Sequence, residues 1–226
     1  MKRFHILVCS FAMVAMFFAS DLMAQRGGFM RMMGGGVQLD SSLLAMKEVQ
    51  KELEFTEDQT EKIGAKASEL NDALRSEMRE IMQGGGDMSE VEDVIAELKE
   101  EEKEILALLN DDQMARLTQL RYQRMGTAMY SDKDVQEALG LSDDQKQTIA
   151  DAVEDNQQEM QDAMEEARDS GDFGSIRGIM TDLQKKLTES VTAALTDDQK
   201  EMVTEMKGEE FEFPQPQRRR RGRSDF

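Results

Sequence analysis

Apolar residues recur every three to four positions through most of the chain, the spacing that places side chains on one face of an α-helix. The first half carries two such stripes, Ile63–Ile81 and Val91–Leu109, and the second half carries two more, Ile149–Ala167 and Ile176–Leu195. Each pair predicts two helices packed against each other as an antiparallel hairpin. The stripe members are Ile63, Ala67, Leu70, Leu74, Met78, Ile81; Val91, Val94, Ile95, Leu98, Ile105, Leu109; Ile149, Val153, Met160, Met164, Ala167; and Ile176, Met180, Leu183, Leu187, Val191, Leu195.

Four related pentapeptides mark the predicted helix starts: FTEDQ, LNDDQ, LSDDQ and LTDDQ. In each, a Thr, Asn or Ser stands three residues before a Gln, which is the spacing of a capping box. The first side chain accepts from the backbone N–H of the Gln, and the Gln side chain accepts from the N–H of the capping residue. The acidic residues between them match the positive end of the helix dipole. The box residues are Phe55, Thr56, Gln59; Leu109, Asn110, Gln113; Leu141, Ser142, Gln145; and Leu195, Thr196, Gln199.

The boxes are unevenly spaced, with 54, 32 and 54 residues between successive capping residues. A shift of 86 residues lays VQKELEFTEDQ (Val49–Gln59) on VQEALGLSDDQ (Val135–Gln145) without a gap, and LNDDQ on LTDDQ. Repetition over this length indicates a duplicated structural module. Each copy is predicted to contain a short lead-in, a long helix, a turn, a third helix and a fourth helix.

These patterns predict an all-α fold of elongated antiparallel helical hairpins, arranged as two tandem four-helix units with disordered termini. The long helices, Glu57–Gln83 and Asp143–Arg168, would each extend about 39 Å at 1.5 Å per residue. Both prolines, Pro214 and Pro216, follow the last predicted helix, so nothing interrupts the helices before them. The predicted segments are a signal peptide, 1–24; a disordered Gly/Met-rich segment, 25–39; a first unit, 40–129; a second unit, 130–210; and a disordered Arg-rich tail, 211–226.

The N-terminal segment has the features of a secretory signal peptide, with Lys2 and Arg3 ahead of an apolar run that ends at Phe18. That run is shorter than the roughly 20 apolar residues that span a bilayer. We therefore expect cleavage after Ala24 and export, with no retained transmembrane anchor. Cleavage would remove the only Cys and the only His, and with them thiol catalysis, a Ser/His/Asp triad and the usual zinc sites.

Charge is distributed unevenly along the chain. The whole protein has a formal net charge of -19, and residues 37–217 hold 19 Lys and Arg against 45 Asp and Glu. A surface of that sign argues against nucleic acid as a partner of the folded body. The tail is the exception: it either contacts an anionic surface or serves only as a solubilising extension. Its arginines are Arg218, Arg219, Arg220, Arg221 and Arg223.

The remaining acidic residues do not form a recognisable chemical site. DSGDFG (Asp169–Gly174) lacks the acidic alternation and closing Glu of an EF-hand loop. Adjacent carboxylates such as Asp197 and Asp198 are interpreted as charges that match a helix dipole, since no neighbour would tune them for proton transfer. We predict no metal site, no cofactor and no enzyme activity.

The exported, all-helical chain with paired LTxxQ-type boxes resembles the Spy/CpxP family of periplasmic stress proteins. The resemblance covers about residues 40–208. It implies a periplasmic location, helices that form a curved cradle, and ATP-independent chaperone activity towards unfolded proteins. Members of that family carry two boxes per chain, so four boxes imply two tandem Spy-like units, and a single-chain pseudo-dimer is one hypothesis for the oligomeric state.

The expected function is therefore that of a chaperone or envelope stress-response protein that binds unfolded or partner proteins. Adaptable thioether side chains on the long helices are the candidate client contacts, although core packing explains the same spacing. Two alternatives remain open, a metal-responsive periplasmic sensor and an envelope interaction module without chaperone activity. The candidate contacts are Met78, Met82, Met160 and Met164.

Overall fold

A computed structural model describes residues 39–84 and 88–214, apart from the side chains of Met82 and Met88. Within these ranges the chain forms α-helices and one 3₁₀ helix, with no strand. The predicted all-α fold is therefore confirmed. The predicted signal peptide, most of the Gly/Met-rich segment and the tail arginines lie outside the described residues.

The helices follow the predicted repeat closely. Every boundary of α2 and α3 recurs 86 residues later in α6 and α7, and the starts of α5 and α9 are related by the same shift. The two long helices contain 28 residues each, or about 42 Å at 1.5 Å per residue. Each lead-in consists of two short pieces. The elements are α1 Ser41–Leu44, α2 Lys47–Glu52, α3 Glu57–Gly84, α4 Met88–Leu106, α5 Asp111–Met125, the 3₁₀ helix Gly126–Ser131, α6 Lys133–Ala138, α7 Asp143–Ser170, α8 Ile176–Ala194 and α9 Asp197–Lys207.

Among the described residues, two hydrophobic clusters form the core. Helix α3 packs on α4, and α7 packs on α8, as the paired stripes predict; α5 also packs on α9. Helix α5 belongs to both clusters, because Leu117 and Leu120 lie in the first and Tyr122 lies in the second. The first cluster comprises Leu39, Leu43, Leu44, Val49, Leu53, Ile63, Ala67, Leu70, Leu98, Ile105, Leu117 and Leu120. The second comprises Tyr122, Met129, Tyr130, Val135, Leu139, Leu141, Ile149, Leu187, Val191, Leu195 and Val203.

Each of the two segments predicted to be disordered includes residues that belong to the packed body. Leu39, assigned to the N-terminal segment, is only 1% exposed and belongs to the first cluster. Phe211 and Phe213, assigned to the C-terminal tail, pack against the same cluster. The boundaries at residues 39 and 211 were therefore misplaced. The Gly-rich segment before Leu39 and the Glu residues around Phe211 and Phe213 concealed apolar side chains that pack on the first cluster.

The turn after the lead-in differs between the units. Glu54 has a φ of 51°, and Gly140, its equivalent 86 residues later, has a φ of 58°. Glu54 and Gly140 each follow a short helix. The residue after each of them donates its N–H to the carbonyl five positions earlier: Phe55 to Gln50, and Leu141 to Gln136. This helix ending requires a left-handed residue, which glycine adopts freely and other residues adopt at a cost. The first unit therefore carries backbone strain that the second unit avoids.

We expect Glu54→Gly to stabilise the protein by up to about 1 kcal/mol, since it removes the left-handed penalty. Gly140→Ala should destabilise it by a similar amount, on the order of 1 kcal/mol, because it introduces the same penalty in the other unit. Urea unfolding monitored by circular dichroism measures both. A stability change of the same sign in the two variants would contradict this assignment.

Candidate functional site

All four predicted capping boxes are present. The cap oxygens of Thr56, Asn110, Ser142 and Thr196 accept from the N–H of the Gln three residues later at 2.8–3.2 Å. The Gln side-chain oxygens accept in return from the N–H groups of the capping residues at 2.9–3.2 Å. Of the residues that precede the caps, Leu141 and Leu195 are buried, and Phe55 and Leu109 are half-buried.

The structure also joins the boxes in pairs, which the motif alone did not predict. In the first unit, Gln59 Nε2 donates to Gln113 Oε1 at 2.9 Å, and Gln113 Nε2 donates to Gln59 Oε1 at 3.1 Å. Gln145 and Gln199 repeat this exchange in the second unit at 2.7 and 3.2 Å. Two helix starts 54 residues apart in the chain are thereby held side by side.

Each of these amides uses all of its hydrogen-bonding capacity. Its oxygen accepts from the cap N–H and from the partner amide. Its nitrogen donates to the partner amide and to a loop carbonyl beside the partner's box, at 2.8–3.1 Å. A glutamate could close a capping box, but a carboxylate donates nothing. The pairing therefore explains why all four copies carry Gln. The loop acceptors are the carbonyl oxygens of Leu108, Leu53, Ala194 and Leu139.

We expect Gln113→Glu to lower the free energy of unfolding by about 2–3 kcal/mol at neutral pH, because it leaves two acceptors without a donor and places a charge where the side chain is buried. Gln199→Glu should have a similar effect in the second unit. Thermal and urea unfolding provide the measurement.

Gln161→Glu is the matched control, since Gln161 is exposed on α7. It adds the same charge to the same acidic body and should leave stability within about 0.5 kcal/mol of wild type. A loss of equal size in the control and in Gln113→Glu would assign the effect to net charge instead of the amide pair.

A buried ionic cluster lies where α1, α4 and α5 meet. Asp40 and Glu102 are 7% and 5% exposed. Arg121 Nη1 donates to Asp40 Oδ2 at 3.1 Å, and the N–H of Ser41 donates to Glu102 Oε1 at 2.6 Å. Burial, opposed by Arg121 and reinforced by Glu102, raises the pKa of Asp40 to about 6. The equivalent positions in the second unit are Gly126, Thr188 and Lys207, so the cluster is specific to the first.

A carboxyl group whose pKa is higher in the folded than in the unfolded chain stabilises the fold only while it is protonated. Stability from Asp40 is therefore fully present below pH 4 and is lost as the pH rises to about 6. We expect Asp40→Asn to match wild type near pH 4 and to exceed it by on the order of 2 kcal/mol above pH 6. Urea unfolding across this range tests it, with exposed Asp182→Asn as the control. A stability difference that does not change with pH would contradict it.

Large apolar side chains are exposed at the far end of the second hairpin. Phe173, in the turn between α7 and α8, is 61% exposed, and Met180 on α8 is 48% exposed. With the half-buried Ile176 between them, they form a shallow apolar surface bordered by Arg177, Thr181 and Gln184. We call Phe173, Ile176 and Met180 the tip patch.

Beside the tip patch, the contact between α7 and α8 is made by small side chains. Helix α7 carries small buried residues here, Ala163 and Ala167. Further from the turn, in the middle of α7, Asn156 occupies the position of the fully buried Leu70 of the first unit, and its Nδ2 donates to the carbonyl of Leu183 at 2.8 Å. Small and polar contacts bring α7 and α8 together without covering the large side chains beside them.

The predicted client contacts are distributed unevenly. Met164 is 40% exposed, Met78 and Met160 are half-buried, and the side chain of Met82 lies outside the described part of the structure. Met180 was predicted to lie in the packed stripe, and this is wrong: it faces solvent. Phe173 was missed altogether. Its position among the polar residues of the turn, 171–175, was the available signal, because an aromatic residue in a hairpin turn has no opposing helix to cover it.

No protein-family model, curated protein or solved structure matches the chain. The described helices include none that is both long and apolar enough to cross a membrane. Across residues 39–84 and 88–214, three or more His, Cys, Asp or Glu side chains nowhere come together as a metal site would require. The resemblance to the Spy/CpxP family therefore depends on the boxes and their spacing.

Proposed function

We propose that this protein is an exported, ATP-independent chaperone or stress-response protein that binds unfolded protein segments at the tip patch. The observation that supports this proposal is the exposure of Phe173 and Met180 beside each other in a chain that is otherwise strongly acidic. Apolar side chains that are left in water and bordered by polar ones mark sites of protein interaction.

The chemistry of the surface fits weak and unspecific binding. Methionine side chains are flexible and polarisable, so they adapt to apolar surfaces of different shape. The patch is open and shallow, and it offers few directional hydrogen bonds that would select one sequence. Such contacts hold an unfolded segment by apolar burial alone, at about 25 cal/mol per Å², and release it without an energy source.

The charge around the patch suits a protein that must remain soluble while it holds apolar clients. Exposed carboxylates flank it on both helices, among them Glu165, Glu166 and Asp182. Complexes that keep a high net charge repel one another and stay dispersed. The same charge directs binding towards apolar or basic segments and away from acidic ones.

A client-aggregation assay tests this proposal. Wild-type protein at equimolar ratio should suppress the light scattering of a heat- or reductant-unfolded client. The double variant Phe173→Ser/Met180→Ser should need about tenfold more protein for the same suppression, because two large side chains lose on the order of 1–2 kcal/mol of apolar burial.

Met202→Ser is the matched control, because Met202 is also an exposed methionine, 37% accessible, but lies on α9. It should suppress aggregation as wild type does. Deletion of residues 215–226 separates the tail from the patch: lost suppression would assign binding to the arginines. Suppression that the tip variants leave unchanged, or that is absent from wild type, would contradict the proposal.

A further inference from the structure

The last described residues of the chain fold back on the first unit. After α9 the chain turns at Gly208, where φ is 61°, and residues 209–214 continue without helix or strand structure. A Cβ at Gly208 would lie 2.2 Å from the Gln119 side chain, so both the backbone angle and the close approach favour glycine. We call Gly208–Pro214 the strap and the α5 surface beneath it, which includes Arg116, Gln123 and Arg124, the strap groove.

The groove binds the strap mainly through backbone groups. Gln123 Nε2 donates to the carbonyls of Lys207 and Glu209 at 2.6 and 2.7 Å, and its Oε1 accepts from the N–H of Phe211 at 2.9 Å. Arg116 Nη1 donates to the carbonyl of Glu209 at 2.9 Å, while its other guanidinium nitrogens are held by Glu52 at 2.6–2.8 Å. Backbone groups are common to all peptides, so these contacts are not limited to one sequence.

Side chains supply the rest of the contact. Phe211 and Phe213, two positions apart, pack on the first cluster, with ring centroids 4.9 Å apart and edge-to-face. The guanidinium of Arg124 lies 5.4 Å from the Phe213 ring centroid, within the range of a cation–π interaction. Glu210 and Glu212, which alternate with the phenylalanines, are exposed. Alternation of this kind is expected when a segment runs extended with one face on a surface.

The groove is also a local exception to the charge of the body. Helix α5 carries Arg116, Arg121 and Arg124 within nine residues, in a protein with a formal net charge of -19. Arg116 and Arg121 are paired with Glu52 and Asp40, so the attraction of an acidic segment to the groove depends on the exposed Arg124 beside the Phe213 ring. The tip patch lacks this preference, and the two surfaces lie on different units.

We propose that the strap groove is a second peptide-binding site and that the strap is its resident occupant. Its ligand class is an extended acidic segment with aromatic side chains at alternate positions. A tethered occupant of this length competes at an effective concentration on the order of millimolar. The half-buried phenylalanines give each strap contact a modest strength, so a matching segment displaces the strap when it is presented at comparable concentration. This proposal does not depend on the tip patch.

Fluorescence anisotropy with a labelled peptide GEEFEFPQP, the sequence of residues 208–216, tests it on the full-length protein. Phe211→Ala/Phe213→Ala should bind the peptide about tenfold more tightly than wild type, because its own strap no longer competes. Adding Gln123→Ala to this variant should weaken binding about tenfold, since the hydrogen bonds to the Glu209 carbonyl and from the Phe211 N–H are lost. The peptide GEEAEAPQP should not bind.

Two further measurements control for misfolding of the variants and for binding at the tip patch. Circular dichroism should show unchanged helix content in the strap variant; if it does not, the milder Phe213→Ala should show an intermediate affinity. Met180→Ser should leave peptide affinity unchanged, which separates this site from the tip patch. Equal affinity for wild type and strap variant, or no binding to the strap variant, would overturn the proposal.

Discussion

The reciprocal amide pair between two capping-box glutamines is the interaction on which the arrangement of each unit depends. It places the N-termini of α3 and α5, or of α7 and α9, side by side, although this brings two positive dipole ends together. The acidic residues of the boxes, Glu57 and Asp58 with Asp111 and Asp112 in the first unit, offset that repulsion. With both helix starts held in register, α4 has to return along α3, and the hairpin follows.

Local patterns were sufficient to predict the helices but not the contacts between distant segments. The capping boxes and the hydrophobic stripes are decided within one or two turns, so the sequence predicts where α3, α7 and α9 begin. The Gln59–Gln113 pair and the packing of Phe211 on the first cluster join residues far apart in the chain, and no local pattern encodes them. Met180 shows the complementary limit, because helical spacing identifies an apolar face but not whether another helix covers it.

The two units share one arrangement of helices, but they differ in the residues at equivalent positions. The first unit carries Leu70 in its core and the buried Asp40–Arg121 pair at its lead-in. The second unit has Asn156 and Gly126 at the equivalent positions. The first copy thus buries an apolar side chain where the second places an amide, and the second exposes Phe173 and Met180 at its hairpin tip. Because α5 contributes side chains to both clusters, the packing of the first unit also supports the second.

The strap is a further feature that the two units do not share. It leaves the second unit at Gly208 and is held by α5 of the first, so closing it joins the ends of the two repeats. The backbone hydrogen bonds and the two half-buried rings fix where the strap lies on α5. They contribute only a modest binding free energy. Tethering compensates for that weakness, because the strap is always present beside the groove. Without the tether, the contact between strap and groove would be too weak to persist at low concentration. A contact of that strength allows another segment to displace the strap.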